Sequence, residues 1–454
     1  MSALFTKYVQ AGGMTLFAKI IAMVGTFAEI YFLNLLLGKE GYGEFFYAFT
    51  IIMVIGIVIG GPMRSLVLYR LSGRDEIITS NFMRSTFGIT ILLGVVAFAV
   101  TSAIGWRVWI IALAALTLLE MVRVTLCSGL QAMQRIPTMT FYNTLLPYGL
   151  RTLMLAILAV LGLNNIADVA IGYTIAFAIP VVIIAARYKI IPSFSLKPFG
   201  KGDLSYGLKT ILTQLVHQNA RYVDVIVIGS LGMMAATAEY AVALKFATVL
   251  LIGKQMVTGL ITPRIASGNI EPEYTIARFF EMSVALGGII AFAIVGLYIL
   301  PFFGEYAIVY TLFFLVAASM IPKVMTGCAA EFLYMKGHAG WVLITSVITL
   351  IVTVAAALTL IPKYGAVGSG LTAFISGSVA SFILAYAAWK TEHFFVMNKH
   401  DAITGFIMII LCVPVGLAII PVFETTIMMA CVYCVYLFLN RGYFQQVLKL
   451  ARIR

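Results

Sequence analysis

The sequence predicts an all-α polytopic membrane protein with fourteen transmembrane helices, arranged as two six-helix bundles and two additional C-terminal helices. Three observations carry this: an extreme apolar composition, a one-sided distribution of basic residues between apolar segments, and an internal repeat. A soluble domain is about 45–50 % apolar and about 25 % charged. This chain of 454 residues is 62 % hydrophobic and 11 % charged, and its mean hydropathy is +1.04. A span needs about 20 apolar residues, so spans consume almost the whole length and leave no room for a sizeable soluble domain.

Apolar segments run over 11–37, 44–69, 82–104, 108–133, 138–163 and 166–186, then 206–231, 239–262, 276–302, 306–335, 340–361 and 365–389, and finally 402–421 and 424–440. Lys19 and Glu29 interrupt the first, and no cleavage site follows it. It therefore reads as an uncleaved span rather than a signal peptide. Fourteen spans place nineteen loop Lys and Arg residues on one side, among them Arg70, Arg84, Arg187, Lys189, Lys197, Arg278 and Lys399. Only Lys39, Arg107 and Lys363 fall on the other. Positive loops stay cytoplasmic, so both termini are expected in the cytoplasm. A missed span would have scrambled the bias. The net charge of +12 is thereby accounted for, and nucleic acid is excluded as a partner.

The repeat is parallel. Glu44 and Glu239 open the second and eighth spans 195 residues apart, Ser72-Gly73 and Ser267-Gly268 close them at the same offset, and Gly172 and Gly370 lie 198 apart. Equivalent points are six spans apart, so the halves share one orientation. The expected organisation is an N-terminal bundle over 1–190, a linker over 191–205 containing Pro192, Pro198 and Gly200, a second bundle over 206–390, and two further spans with a cytoplasmic tail over 391–454. The five cysteines (Cys127, Cys328, Cys412, Cys431 and Cys434) all lie in apolar stretches and are expected to be buried as small hydrophobes. No metal site and no cofactor motif is evident.

Eight basic residues sit inside spans: Lys19, Arg64, Arg123, Arg151, Arg221, Lys245, Lys254 and Lys323. Each costs about 2.5–3.5 kcal/mol at mid-span, so they must pair, snorkel or face a polar interior. Span carboxylates are fewer: Glu29, Glu120, Asp224, Glu281 and Glu331. Helical spacing sorts them. Thr15, Lys19, Ala22, Thr26 and Glu29 form one stripe on the first span. Thr210, Gln214, His217, Arg221 and Asp224 form the matching stripe on the seventh. Lys19, Arg64, His217, Arg221 and Lys254 are the candidate cavity-lining, substrate-binding residues, and Glu29 and Asp224 the candidate ion-coupling carboxylates. The bland alternative is ion pairing that only locks helices together, with Arg221 and Asp224 as the obvious pair. Glu120, Arg123 and Arg151 read as one structural network; Lys323 and Glu331 stay unassigned.

The segments Leu37-Gly38-Lys39-Glu40-Gly41-Tyr42-Gly43-Glu44-Phe45, Ala238-Glu239-Tyr240-Ala241-Val242-Ala243 and Ile361-Pro362-Lys363-Tyr364-Gly365-Ala366-Val367-Gly368 resemble those of polysaccharide flippases. These are the Wzx-type O-antigen and exopolysaccharide exporters of the multidrug/oligosaccharidyl-lipid/polysaccharide exporter superfamily. The resemblance implies a central cavity between two bundles, alternating access and a bacterial inner-membrane location. It also implies an undecaprenyl-diphosphate-linked oligosaccharide as substrate, membrane lipid and an H⁺ or Na⁺ counter-ion as partners, and a polysaccharide polymerase in the same pathway. A basic excess suits a diphosphate, which Arg binds bidentately and Lys as a point charge. A drug/cation antiporter of the same superfamily is the first alternative and should favour an acidic, aromatic pocket. A polymerase or ligase is the second, but the outer connections are short and no HExxH, GxSxG, P-loop or DxD motif occurs, so no enzymatic activity is expected.

Overall fold

The computed structural model describes residues 2–71, 81–104, 108–133, 135–200, 202–203, 222–254, 271–303, 307–394 and 396–445. The described residues are helical apart from short turns and the linker, and eleven helices among them are long and apolar enough to cross a membrane. The chain divides into two compact units, 1–222 and 223–454.

In the first unit, α1 (Ser2–Leu71) carries the first two expected spans. They are separated at Gly38, whose φ of +67° is open to glycine and strained for other residues. The expected six-residue connection is thus a one-residue break. Next come α2 (Asn81–Ile104), α3 (Val108–Ala132) and α4 (Ile136–Thr140), which runs through a π turn (Phe141–Leu145) into α5 (Leu146–Leu161). The Asn165 side chain accepts from the Ala167 N–H at 3.2 Å and caps α6 (Ile166–Arg187). α3 is the hub, packing on α1, α2 and α6. Without a hydrophobic force between helices in lipid, small residues and hydroxyls supply much of the contact. Thr117 donates to the Ile52 carbonyl of α1, Thr174 of α6 donates to the Ala112 carbonyl, and Thr90 of α2 meets Thr125 of α3.

The linker is tied to this unit. The Ser193 N–H donates to the Arg84 carbonyl at 2.9 Å, and Arg84 Nε donates to the Ile191 carbonyl at 3.1 Å. A Cβ on Gly88 would run into the Ser193 carbonyl. Phe82 and Phe199 pack with ring centroids 5.0 Å apart. Arg70 then grips Asp203 with two parallel bonds of 2.8 Å, while the Gly200 N–H donates to the same carboxylate at 2.8 Å. Burial pushes the Asp203 carboxyl up, but the Arg70 bonds and the Gly200 N–H outweigh it and hold the group below the usual carboxylate range.

In the second unit, residues 222–230 are helical. α7 (Met234–Thr248), α8 (Glu271–Ile299), α9 (Ala307–Met325), the short α10 (Ala329–Met335), α11 (Ala339–Glu392), α12 (Lys399–Gly416) and α13 (Val422–Leu439) follow. α11 holds two expected spans broken at Gly365, with φ +55°. The hub is α9, which packs on α7, α8, α11 and α12. By packing it holds the place in the second unit that α3 holds in the first. The seventh expected span, 206–231, lies largely outside the described residues.

Two expectations are corrected here. Arg278 is not a solvated loop cation. It sits on α8, 3 % exposed, with Nε 2.6 Å from Asp401 Oδ2 of α12. It also donates to the Val396 carbonyl. Tyr436 of α13 donates to Asp401 Oδ1 at 2.9 Å and stacks on Phe279. One buried carboxylate thus ties both extra helices to α8. The thiols also divide: Cys127, Cys328 and Cys412 are buried, whereas Cys431 and Cys434 are exposed on α13, because that helix presents much of its surface outward.

Arg278→Ala leaves Asp401 buried and should destabilise the protein by about 3–5 kcal/mol. Arg278→Met with Asp401→Leu should recover most of that in thermal unfolding in detergent; a double variant as unstable as the single would contradict this. For Asp203 the stabilisation is present above the ordinary carboxylate value and is lost as pH falls through the lowered one. Hydrogen exchange at the Gly200 amide should therefore stay slow at pH 7 and at pH 5. Asp203→Asn should remove about 1–2 kcal/mol of protection, a discounted figure because the Arg70 side chain is 41 % exposed.

Candidate functional site

Glu29 and Asp224 are 195 residues apart, the offset of the repeat, and both are buried. Each accepts a hydrogen bond from a tyrosine hydroxyl: Tyr173 of α6 donates to Glu29, and Tyr240 of α7 to Asp224. The tyrosines are not repeat equivalents, since they belong to the sixth and eighth spans.

Among the described residues the remaining partners differ. Arg151 of α5 lies 3.4 Å from Glu29 Oε1, its guanidinium 4.2 Å from the Tyr148 ring centroid and 5.4 Å from that of Phe177. Such cation–π contacts are worth about 2 kcal/mol when desolvated. Arg151 therefore pairs with Glu29, and it adjoins the expected Arg123 network through the Phe177 ring, which Arg123 also faces at 5.7 Å. Arg123 keeps Glu120, with both bonds at 2.7 Å. Its remaining nitrogen donates to the Asn143 carbonyl at 2.7 Å and to Asn143 Oδ1 at 2.8 Å. Asn143 lies in the π turn, Phe141–Leu145. Thr26 of the first stripe donates back to the Ala22 carbonyl. Arg64 is exposed, with its charge in range of Glu120 and Arg123. The side chain of Lys19 lies outside the described residues.

In the second unit, Asp224 also accepts the Val225 N–H at 2.9 Å, and the charge acting on it among the described residues is Lys323. Lys254 is half-buried; its ammonium donates to the Lys323 carbonyl at 3.1 Å, near the C-terminus of α9, where carbonyls lose their helical partners. Its charge also acts on Glu281, a buried α8 carboxylate whose Oε1 accepts from Cys328 Sγ at 3.6 Å. Lys323, unassigned from sequence, is thus the residue that joins two expected ones, Asp224 and Lys254. Its position after Pro322, at the break that ends α9, was the available signal. His217 and Arg221 lie outside the described residues. Each cluster is a buried carboxylate held by a tyrosine hydroxyl with a basic residue nearby. No group of three or more metal-binding side chains occurs among the described residues.

No family model and no curated protein sequence matches the chain. Solved structures do. The lipid II flippase MurJ in an inward closed conformation aligns over 96 % of this chain and 100 % of its own, with TM-score 0.67 and 16 % identity. A MOP-superfamily transporter from Pyrococcus furiosus, described as having a binding pocket of reversed polarity, aligns over 89 % and 96 %, with TM-score 0.59 and 14 % identity. An inward-facing multidrug resistance transporter of the MATE family aligns over 82 % and 96 %, with TM-score 0.61 and 14 % identity. At such identities the shared property is the fold. This chain has the multi-pass fold of MOP-superfamily transporters, and the structures it resembles are transporters rather than enzymes.

Glu29→Ala strands the Arg151 guanidinium and should cost about 3–5 kcal/mol. Glu29→Ala with Arg151→Met should restore most of it, as read by thermal unfolding. Asp224→Asn keeps an acceptor for Tyr240 and should cost about 1 kcal/mol. If Asp224→Asn proves as damaging as Glu29→Ala, the difference drawn between the two carboxylates is wrong.

Proposed function

We propose that this protein is a flippase that carries undecaprenyl-diphosphate-linked oligosaccharide units, of the O-antigen, capsule or exopolysaccharide kind, across the bacterial inner membrane by alternating access. The observation that carries the reading is the extent of the flippase likeness. It spans 96 % of this chain, against 82–89 % for the MATE transporters. In this reading the chain has fourteen spans with both termini cytoplasmic. Bundles over 1–190 and 206–390 are joined by the linker 191–205 and followed by the extra pair within 391–454. The excess of basic over acidic residues inside spans supports an anionic headgroup. Lys19, Arg64, His217, Arg221 and Lys254 are proposed to line its path, with the polyprenyl tail left in lipid. The exposed Arg64 and half-buried Lys254 are accessible enough for that role. Asp224 is the stronger ion-coupling candidate for H⁺ or Na⁺, because Glu29 has the Arg151 guanidinium whereas the cation acting on Asp224 among the described residues is Lys323. A polysaccharide polymerase would consume the flipped unit.

The second reading, a cation-coupled multidrug antiporter, is favoured by the MATE likeness and opposed by the basic excess. Deleting the gene should cause lipid-linked oligosaccharide to accumulate on the cytoplasmic face, and the wild-type chain should cure it. Arg64→Ala and the paired Lys19→Ala, Arg221→Ala variant, at equal membrane levels, should transport about tenfold or more slowly, the loss expected for one charged hydrogen bond or more. Full rescue by these variants would remove the proposed lining and keep the flippase. No accumulation, with new sensitivity to cationic drugs, would favour the antiporter.

A further inference from the structure

The segment between α6 and Asp203 carries apolar side chains where a water-facing loop would carry polar ones. Ile191 is 61 % exposed, Phe194 58 % and Leu196 66 %, and Arg187, Lys189 and Lys197 are exposed among them. The segment is non-helical beyond Lys189, so its backbone needs other partners wherever water is scarce. Most are present. The Lys189 and Ile190 N–H groups donate to carbonyls at the end of α6, and those of Ser193 and Phe199 to the Arg84 and Leu196 carbonyls. The Lys197 N–H donates to Ser195 Oγ and the Gly200 N–H to Asp203. Pro192 and Pro198 have no N–H to satisfy.

The segment also has a defined height. Its Ser193 carbonyl packs at Gly88, seven residues into α2, or about 10 Å along a helix. With the start of α2 taken as the bilayer surface, that is the depth of about 5–10 Å at which interfacial segments sit between headgroups and acyl chains. The Arg84, Phe82 and Arg70 contacts fix it there.

We propose that residues 187–199 form a membrane-interface anchor that binds anionic phospholipid headgroups, with Ile191, Phe194 and Leu196 inserted at the acyl boundary and Lys189 and Lys197 on the phosphates. The occupant is lipid because the helices beside the segment already stand in the bilayer and its cations complement an anionic leaflet. The inference rests on the membrane-spanning fold and not on the flippase reading, so its test measures lipid contact rather than transport.

The full chain, with a benzophenone amino acid in place of Phe194, would be placed in nanodiscs of phosphatidylcholine with one-fifth phosphatidylglycerol and photolysed. Adducts would be identified by mass spectrometry. The same probe in place of Leu163, at the other end of the first unit, is the control. Position 194 should give phospholipid adducts enriched in phosphatidylglycerol, and Leu163 should report the bulk ratio. Lys189→Gln and Lys197→Gln should each reduce the enrichment by about fivefold or to the bulk ratio, whichever comes first. Adducts to protein or none at all at 194 overturn the anchor. Lipid adducts at the bulk ratio in the unsubstituted lysine background overturn the anionic specificity.

Discussion

A carboxylate inside a helix bundle in lipid has no water to turn to, so the fold must bring it a donor or a cation. That requirement organises both units. Glu29 draws α5 and α6 onto α1 through Arg151 and Tyr173. Asp224 draws α7 onto the helix before it through Tyr240. Asp401 fastens α12 to α8 and receives the hydroxyl of α13. Apolar packing alone discriminates poorly among helices in a solvent as apolar as their own surfaces. Buried polar contacts supply the register, at the hazard that losing one partner leaves an uncompensated charge.

The two units share a spine and differ in the charges placed on it. Positions 29 and 224 keep a carboxylate and a tyrosine hydroxyl, but the neighbouring cation is a guanidinium in one and, among the described residues, a lysine ammonium in the other. An arginine stacked on aromatic rings stays charged and in place. A lysine beside a helix break has more freedom to respond to what binds nearby.

Much of this was legible in the sequence, for reasons that also mark the limits. The ends of the apolar runs at 37 and 361 placed the breaks inside α1 and α11 to within a few residues, and the structure sets them at Gly38 and Gly365, where a positive φ favours glycine. The repeat offset led to equivalent carboxylates, because spacing along a helix survives when contacts do not. Partner choice within a helix was legible, as Glu120 and Arg123 show, but partner choice between helices was not. Arg151 reads as a neighbour of Arg123 and Glu120 by position, yet geometry across α1 and α5 gives it to Glu29. Arg278 looks like a loop cation because it lies near a span boundary, and only the fold shows Asp401 beside it. Cys431 and Cys434 sit in an apolar run like the other thiols, and periodicity cannot say that α13 shows that face outward.

The most direct test is translocation by the purified protein alone. Proteoliposomes loaded on one leaflet with a fluorescent, diphosphate-linked oligosaccharyl polyprenol would be assayed for sugar exposed to a membrane-impermeant quencher. A flippase should expose it in proportion to the protein added, with saturation in lipid and inhibition by the unlabelled diphosphate lipid. If the sugar stays protected while the same vesicles exchange an organic cation for H⁺ or Na⁺, the flippase account is contradicted and the transport fold here serves cations.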